Sequence, residues 1–263
     1  KLYYILAFGT LLCSQLCSSS SAAMASEEPY NSGIVIRWKD CKQRIDGFGI
    51  AQAGWAKELF AFKNREQVMD KMFGKDGLRL NILRGEIFPH YWENETDKDF
   101  NLNDDIHIEL SDSDFINKSD DLLRRGQLWL TLKAKNKYHI SKLVFSTWSG
   151  PAWMKSNGKV SNGRLKTECY TDFANYLAAF YNAYKSKGIA PYAISPSNEP
   201  GYAAPWNSSL WTADEMGKFI TSYLGPTFRK ENIPAKIIFG ENPLWAVYMP
   251  QLKMVSSKDF TDT

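Results

Sequence analysis

Runs of basic residues, a Cys/His spacing of the zinc-binding kind, an apolar stretch of membrane length and a glycine-rich dinucleotide fingerprint are all missing from this chain of 263 residues. Each absence removes a class. Lys and Arg total 32 against 29 for Asp and Glu, a formal charge of +3 with no basic cluster, so nucleic acid and anionic membranes are poor partners and neutral ones fit better. His90, His107 and His139 stand apart, and no metal site is expected. Of four cysteines, Cys13 and Cys17 fall in an N-terminal leader, leaving Cys41 and Cys169 for at most one disulfide whose pairing the sequence does not fix. What is present, 44% hydrophobic and 14% aromatic residues, is the composition of a folded globular protein rather than a disordered, collagenous or coiled-coil one.

The chain opens on Lys1 instead of Met, and the apolar run Leu2 to Leu12 behind that cation is too short to span a bilayer. Followed by the small-residue exit Ala23-Met24-Ala25, it reads as a secretory signal peptide over residues 1–25, cleaved before Ser26. Three Asn-x-Ser/Thr tripeptides, at Asn94, Asn117 and Asn207, are glycosylation candidates. Together these features point to an extracellular or lysosomal glycoprotein with no transmembrane segment.

Hydrophobic periodicity orders the rest. Gly33 to Trp38 alternates as a strand, and Arg44 to Gln52 forms a second short apolar segment. Asn64-Arg65-Glu66-Gln67 starts a helix that Gly74 stops, Leu78 to Leu83 is a strand ending at Arg84, and the acidic stretch from Glu86 to Ser119 reads as a surface insertion. A helix over 120–136, a strand over 142–145 and a polar-aromatic loop over 146–163 follow. Phe173, Tyr176, Leu177, Phe180 and Tyr184 recur at helical spacing up to Gly188. Tyr192 to Ser195 and Lys236 to Phe239 are strands flanking a helix announced by the capping box Thr212 to Glu215.

Strand starts near residues 45, 78, 142, 191 and 235 leave room for a helical crossover each time. The β-then-α rhythm fits either a doubly wound sheet or a (β/α)8 TIM barrel of the α/β class, and the missing dinucleotide fingerprint favours the barrel. Five βα units occupy residues 45–263, whereas eight at that rate need roughly 350 residues. A partial barrel of strands one to five over 45–263, preceded by an N-terminal segment over 26–44, is therefore expected, as a piece of a longer product.

Ser195-Pro196-Ser197-Asn198-Glu199-Pro200-Gly201 sets an amide beside a carboxyl group where a strand gives way to a loop. A glutamate partly dried at a barrel mouth can hold a proton and act as a general acid. Cleaving a glycosidic bond needs such a group to protonate the leaving oxygen, together with a second carboxylate for the sugar carbon, and the neighbouring Asn198 suits a sugar hydroxyl. Read alone, Glu199 is as readily a cap or a surface ion-pair partner. Trp55, Trp92, Trp206, Trp211 and Trp245 lie near loops and are candidate sugar platforms.

Several motifs in order resemble glycoside hydrolase family 30. Gln43-Arg44-Ile45-Asp46-Gly47-Phe48-Gly49 resembles the family's first strand, Leu80-Asn81-Ile82-Leu83-Arg84 its second, the run Ser146-Thr147-Trp148-Ser149-Gly150-Pro151-Ala152-Trp153-Met154-Lys155-Ser156-Asn157-Gly158 its third-strand loop, and Asn198-Glu199-Pro200 its fourth-strand site. The resemblance implies a TIM barrel with a small side β-domain, to which the strand near residue 34 would belong. It also implies a retaining β-glycosidase acting on a β-linked glycoside, glycolipid or polysaccharide, without cofactor. By position it assigns Glu199 as acid/base, Asn198 as hydroxyl ligand, Arg84 as electrostatic brace, Trp148 as subsite floor and Glu241 as a substrate contact. The family's nucleophile sits on a seventh strand and has no counterpart here, so the stretch by itself is expected to be inactive. The competing reading is a carbohydrate-binding protein on the same scaffold.

Overall fold

Strand propensity and burial explain where the sheet forms. In a computed structural model, residues 39–40, 42–52, 55–89 and 119–242 are described, with side chains in the helix that opens at Ser119 described from 126 onward. The chain divides into two compact units, 1–45 and 46–263. Among the described residues of the first, Lys42 pairs with Asp40 at 2.6 Å. In the second, the strands β1 (Gly49–Ala51), β2 (Ile82–Ile87), β3 (Lys142–Thr147), β4 (Ala193–Ser195) and β5 (Lys236–Ile237) pair in parallel in the order β1-β2-β3-β4-β5. Parallel neighbours require crossovers, and helices supply them: α1 (Ala56–Ala61) and α2 (Arg65–Phe73) after β1, α3 (Ser119–Tyr138) after β2, α4 (Tyr170–Ser186) after β3, and α5 (Ala213–Phe219) after β4. One π-helical turn, Ile220–Leu224, joins α5 to α6 (Gly225–Lys230).

Side chains alternate across a strand, so β2 and β3 each present two chemically different faces. Leu83, Phe145 and Ile194 belong to the buried core beneath the helices. Phe145 meets Phe180 and Tyr184 of α4 edge-on, at centroid distances of 5.0 and 4.9 Å. Gly85 lies on that face too: a Cβ there would come within 2.7 Å of the Phe145 ring and 2.8 Å of Gln127 Oε1 on α3, so the close packing of helix on strand needs a glycine. Arg84, Glu86 and Ser146 occupy the opposite face, with Glu86 in register with Ser146.

The helices follow their sequence signals closely. Asn64 and Gly74 bound α2 as expected, although the Asn64 side chain makes no cap hydrogen bond. Thr212 caps α5 with a reciprocal box: its Oγ1 accepts from Glu215 N–H at 3.2 Å and its own N–H donates to Glu215 Oε2 at 2.6 Å. The larger differences are in the strands. β2 does not end at Arg84 but continues to Ile87, and β3 runs on through Thr147. β1 stops at Ala51, where the N–H and C=O of Glu86 would next have paired, and Gln127 of α3 takes them both at 2.7 Å. That side-chain substitute for a missing strand partner extends β2 beyond the point the local sequence suggests.

Candidate active site

The carboxyl ends of the parallel strands gather the polar residues. Arg84, projecting from β2, donates from Nη2 to Asn198 Oδ1 at 2.7 Å, and from Nε and Nη2 to Glu241 Oε1 and Oε2 at 3.2 and 3.4 Å. Its guanidinium also lies 4.5 Å from the centroid of Trp148, just past the end of β3. One planar cation thus organises residues that follow three other strands, a task suited to the rigid fork of arginine. Ser146 Oγ donates to Glu241 Oε2 at 2.5 Å, fixing the carboxylate from the far side.

Glu199 enters this cluster through its backbone. Its N–H donates to the Glu241 carbonyl at 2.9 Å, while the Asn198 N–H donates to the Thr147 carbonyl at 2.7 Å, so the Asn-Glu pair is spliced between the ends of β3 and β5. Glu199 has φ of 46°, in the left-handed region that non-glycine residues rarely adopt. Its side chain is half-buried. The loop that follows, 200–211, closes on itself where Trp211 N–H donates to the Pro200 carbonyl at 2.7 Å.

A buried lysine sews that loop to the one after β3. Lys155 is 0% exposed, and its Nζ donates to Ser149 Oγ at 3.2 Å, to the Asn162 carbonyl at 2.5 Å and to the Ser208 carbonyl at 2.8 Å. Burial pulls its ammonium down to about 8, because no carboxylate is among these partners to offset the lost hydration. Ser208 reinforces the seam, its N–H donating to the Val160 carbonyl at 3.0 Å and its Oγ accepting from Asn162 N–H at 2.9 Å.

Glu86, expected to open an insertion, instead lies on β2 on the same face as Arg84. It is 8% exposed, and desolvation pushes its carboxyl up to about 7, against the hydrogen bond from Asn207 and the positive charge of Arg84, both of which pull the other way. Alternation along β2 was the available signal, since it puts residue 86 on the same face as Arg84. Ser146 was readable in the same way from Trp148.

The structure brings together Arg84, Trp148, Asn198, Glu199 and Glu241. Asn207 is half-buried and its backbone bridges to Ser161, and Ser209 of its sequon is buried. Trp211 is no platform: at 7% exposure it packs on Tyr170, Phe173 and Phe219 in the core. Trp55 is half-buried, its indole N–H donating to the Ala51 carbonyl. Trp206 is 55% exposed with Tyr202 beside it, ring centroids 6.3 Å apart. The leader over 1–25, the strand over 33–38, Asn94, Asn117, Trp92, Trp245, His90, His107 and Cys41 lie outside the described residues. A cavity of about 370 Å³ beside β5, lined by Phe228, Ile233 and Lys236 among others, shares no residue with the Arg84 cluster.

Parallel strands with polar groups collected at their carboxyl ends define an α/β protein, whose sites occur at that end. Residues 45–241 match the model of the Glycosyl hydrolase family 30 TIM-barrel domain, and the chain belongs to that family. Among curated relatives, the Caenorhabditis elegans protein named "Putative glucosylceramidase 3" is 29% identical over 224 residues, covering 80% of this chain and 41% of the relative. Glucuronoxylanase XynC of Bacillus subtilis is 27% identical over 238 residues, covering 88% and 46%. In fold the chain is similar to the endo-beta1,6-glucanase BT3312, with a TM-score of 0.68 at 19% identity over 84% of this chain and 51% of that one. The chain spans somewhat less than half the length of these two curated relatives.

Proposed function

We propose that this chain carries the acid/base half of a retaining β-glycosidase, acting on a β-linked glycoside, glycolipid or polysaccharide, in a partial barrel that forms part of a longer protein. The observation that carries the reading is the Arg84 fork, which holds Asn198 and Glu241 together and thereby sets the residue next to Glu199. In this mechanism Glu199 protonates the leaving oxygen and then, as a carboxylate, takes a proton from the water that releases the sugar. The second carboxylate, about 5 to 5.5 Å away in a retaining enzyme, attacks the sugar carbon; the family resemblance assigns it to a seventh strand, outside the five described here.

The other residues have roles that follow from their contacts. Because Asn198 Oδ1 accepts from Arg84, its amide nitrogen is the atom left to donate to a substrate hydroxyl. Glu241, held by Arg84 and Ser146, is oriented to accept hydrogen bonds from sugar hydroxyls. With Arg84 against Trp148, the remaining indole surface serves as a stacking floor, and Trp206 with Tyr202 offers an exposed platform beside the acid. The left-handed backbone at Glu199, a conformation costing of order 1–3 kcal/mol, supports a functional reason for keeping a glutamate there. The leader-like residues 1–25 and the sequons at Asn94 and Asn117 extend the proposal to an exported glycoprotein. No metal or organic cofactor enters the reaction.

Hydrolysis of a panel of β-glucosides, β-xylosides and β-linked polysaccharides by the full-length protein tests the proposal. Glu199→Gln should reduce turnover by roughly 10²- to 10⁴-fold, the usual contribution of a general acid. Saccharide binding without turnover in the unaltered protein would replace it with the carbohydrate-binding reading.

A further inference from the structure

The loops after β3 and β4 are joined into one body. Residues 154–166 turn back on themselves, Ser156 N–H donating to the Arg164 carbonyl at 2.8 Å and Lys166 N–H to the Met154 carbonyl at 2.9 Å. Segment 207–210 lies against that turn: Ser208 N–H donates to the Val160 carbonyl at 3.0 Å, Leu210 N–H to the Gly163 carbonyl at 2.9 Å, and Asn207 forms an antiparallel bridge to Ser161. Lys155 closes the seam from inside, through the carbonyls of Ser208 and Asn162 and through Ser149 Oγ. Ser208 passes the constraint outward, its hydroxyl shared between the carbonyls of Ala204 and Trp206 at 3.0 and 3.2 Å. Trp206 is thus linked to the buried ammonium through one serine, while its own ring is exposed, as is that of Tyr202 beside it. A backbone fixed this firmly under an exposed indole gains the fold little from the ring and offers a ligand a surface already in place.

We propose that Lys155 is a positioning residue that holds the Tyr202–Trp206 pair, through Ser208, as the surface receiving the leaving group, and that this leaving group is a sugar residue of an oligo- or polysaccharide. The side of the bond follows from Glu199 being the acid, and so depends on the function proposed above. An acid that protonates the glycosidic oxygen stands next to the departing part of the substrate. Tyr202 is one tight turn from that acid, its N–H donating to the Glu199 carbonyl at 2.9 Å. The chemistry of the surface favours a sugar over a hydrocarbon chain. Among the described residues the other exposed large apolar side chains, Ile45, Phe48, Phe62 and Leu78, precede β1 or β2 or follow α1, and none belongs to the loops after β3 and β4. Two rings amid polar backbone match the apolar face of a pyranose, whereas a lipid tail needs a wider contiguous patch.

Hydrolysis of a β-linked tetrasaccharide by the full-length protein is compared with hydrolysis of the methyl β-glycoside of the same sugar, glucose and xylose each serving in turn. Both bonds need the acid, but only the tetrasaccharide presents a ring to Trp206. Trp206→Ala should lower the ratio of the two kcat/KM values by about tenfold, the scale of one aromatic contact, and Lys155→Met should lower it by a similar factor. Loss of folded enzyme alone would depress both substrates alike and leave the ratio where it was. The two substitutions together should cost little more than either, since both act on one surface. Exchange of the Ser208 and Leu210 amides should quicken in Lys155→Met, while the Tyr192 amide, bonded to the Leu143 carbonyl in the sheet, keeps its protection. Where Lys155→Met does not fold, Ser208→Ala, which removes the hydroxyl beneath Trp206, carries the same expectation for the ratio. An unchanged ratio in either variant, or losses that multiply in the pair, would overturn the proposal. So would an equal loss on octyl β-glucoside, which gives the surface to a hydrocarbon chain. If the unaltered protein binds the tetrasaccharide in calorimetry without cleaving it, and both variants weaken that binding about tenfold, the acid assignment fails and the held surface stands. Binding that neither variant weakens removes the surface as well.

Discussion

The two faces of β2 and β3 are built from opposite materials. Toward the helices, Leu83, Ile87, Leu143 and Phe145 are apolar and closed over. Away from them, Arg84, Glu86 and Ser146 carry charge or hydroxyl, and several of their bonds run to residues more than 90 positions away. Hydrophobic burial on the first face contributes stability at roughly 25 cal/mol per Å². The second face spends part of it, since ions taken out of water recover at best their desolvation cost from one another. The lesson is that the helix-facing side makes the fold and the other side is kept for chemistry.

Substitutions can break that division. The largest effect on stability is expected on the outer face: Phe145→Ala removes a ring packed edge-on against Phe180 and Tyr184, and should lower the free energy of unfolding in urea by about 3–5 kcal/mol. Next comes the seam between the loops. Lys155 has its ammonium lowered to about 8 in the fold against 10.5 in the unfolded chain, so between those values the unfolded chain binds more protons and stability rises with pH. Measured against Lys155→Met, the unaltered protein should gain up to about 3 kcal/mol from pH 8 to 10.5, a gain absent below pH 8. The smallest change in stability sharpens the contrast most. Replacing the inner pair together, Arg84→Met with Glu241→Leu, should leave unfolding within about 1 kcal/mol of the starting protein or raise it, while saccharide binding followed by calorimetry should weaken at least tenfold.

Much of the outer face was legible, because amphipathic periodicity is a local signal. The helical spacing from Phe173 to Tyr184 and the capping box at Thr212 correspond to real helices, α4 and α5. The six-residue α1 went unread, being too short to show a period, and the π-helical turn at Ile220 has no compositional mark. On the inner face, the family motifs located Arg84, Trp148, Asn198, Glu199 and Glu241, and the structure brings these five to one end of the sheet. Glu86 was lost because Gly and Glu are poor strand residues and an acidic stretch follows. What keeps it in the strand is Gln127, 41 residues on, and what raises its carboxyl is burial, against the opposing pull of Arg84 and of Asn207, over 100 residues on. Such compensation is nonlocal and no window along the chain contains it.

The central claim is that Glu199 gives a proton to a departing sugar oxygen. It is tested most directly by comparing Glu199→Gln with the unaltered full-length protein on two β-glycosides that differ only in leaving group. A poor leaving group, such as an alkyl alcohol, needs the proton, and cleavage of that bond should slow by roughly 10²- to 10⁴-fold. A nitrophenolate leaves without it, so formation of the glycosyl-enzyme should slow far less. Equal losses on both substrates, or no loss on either, would contradict the assignment.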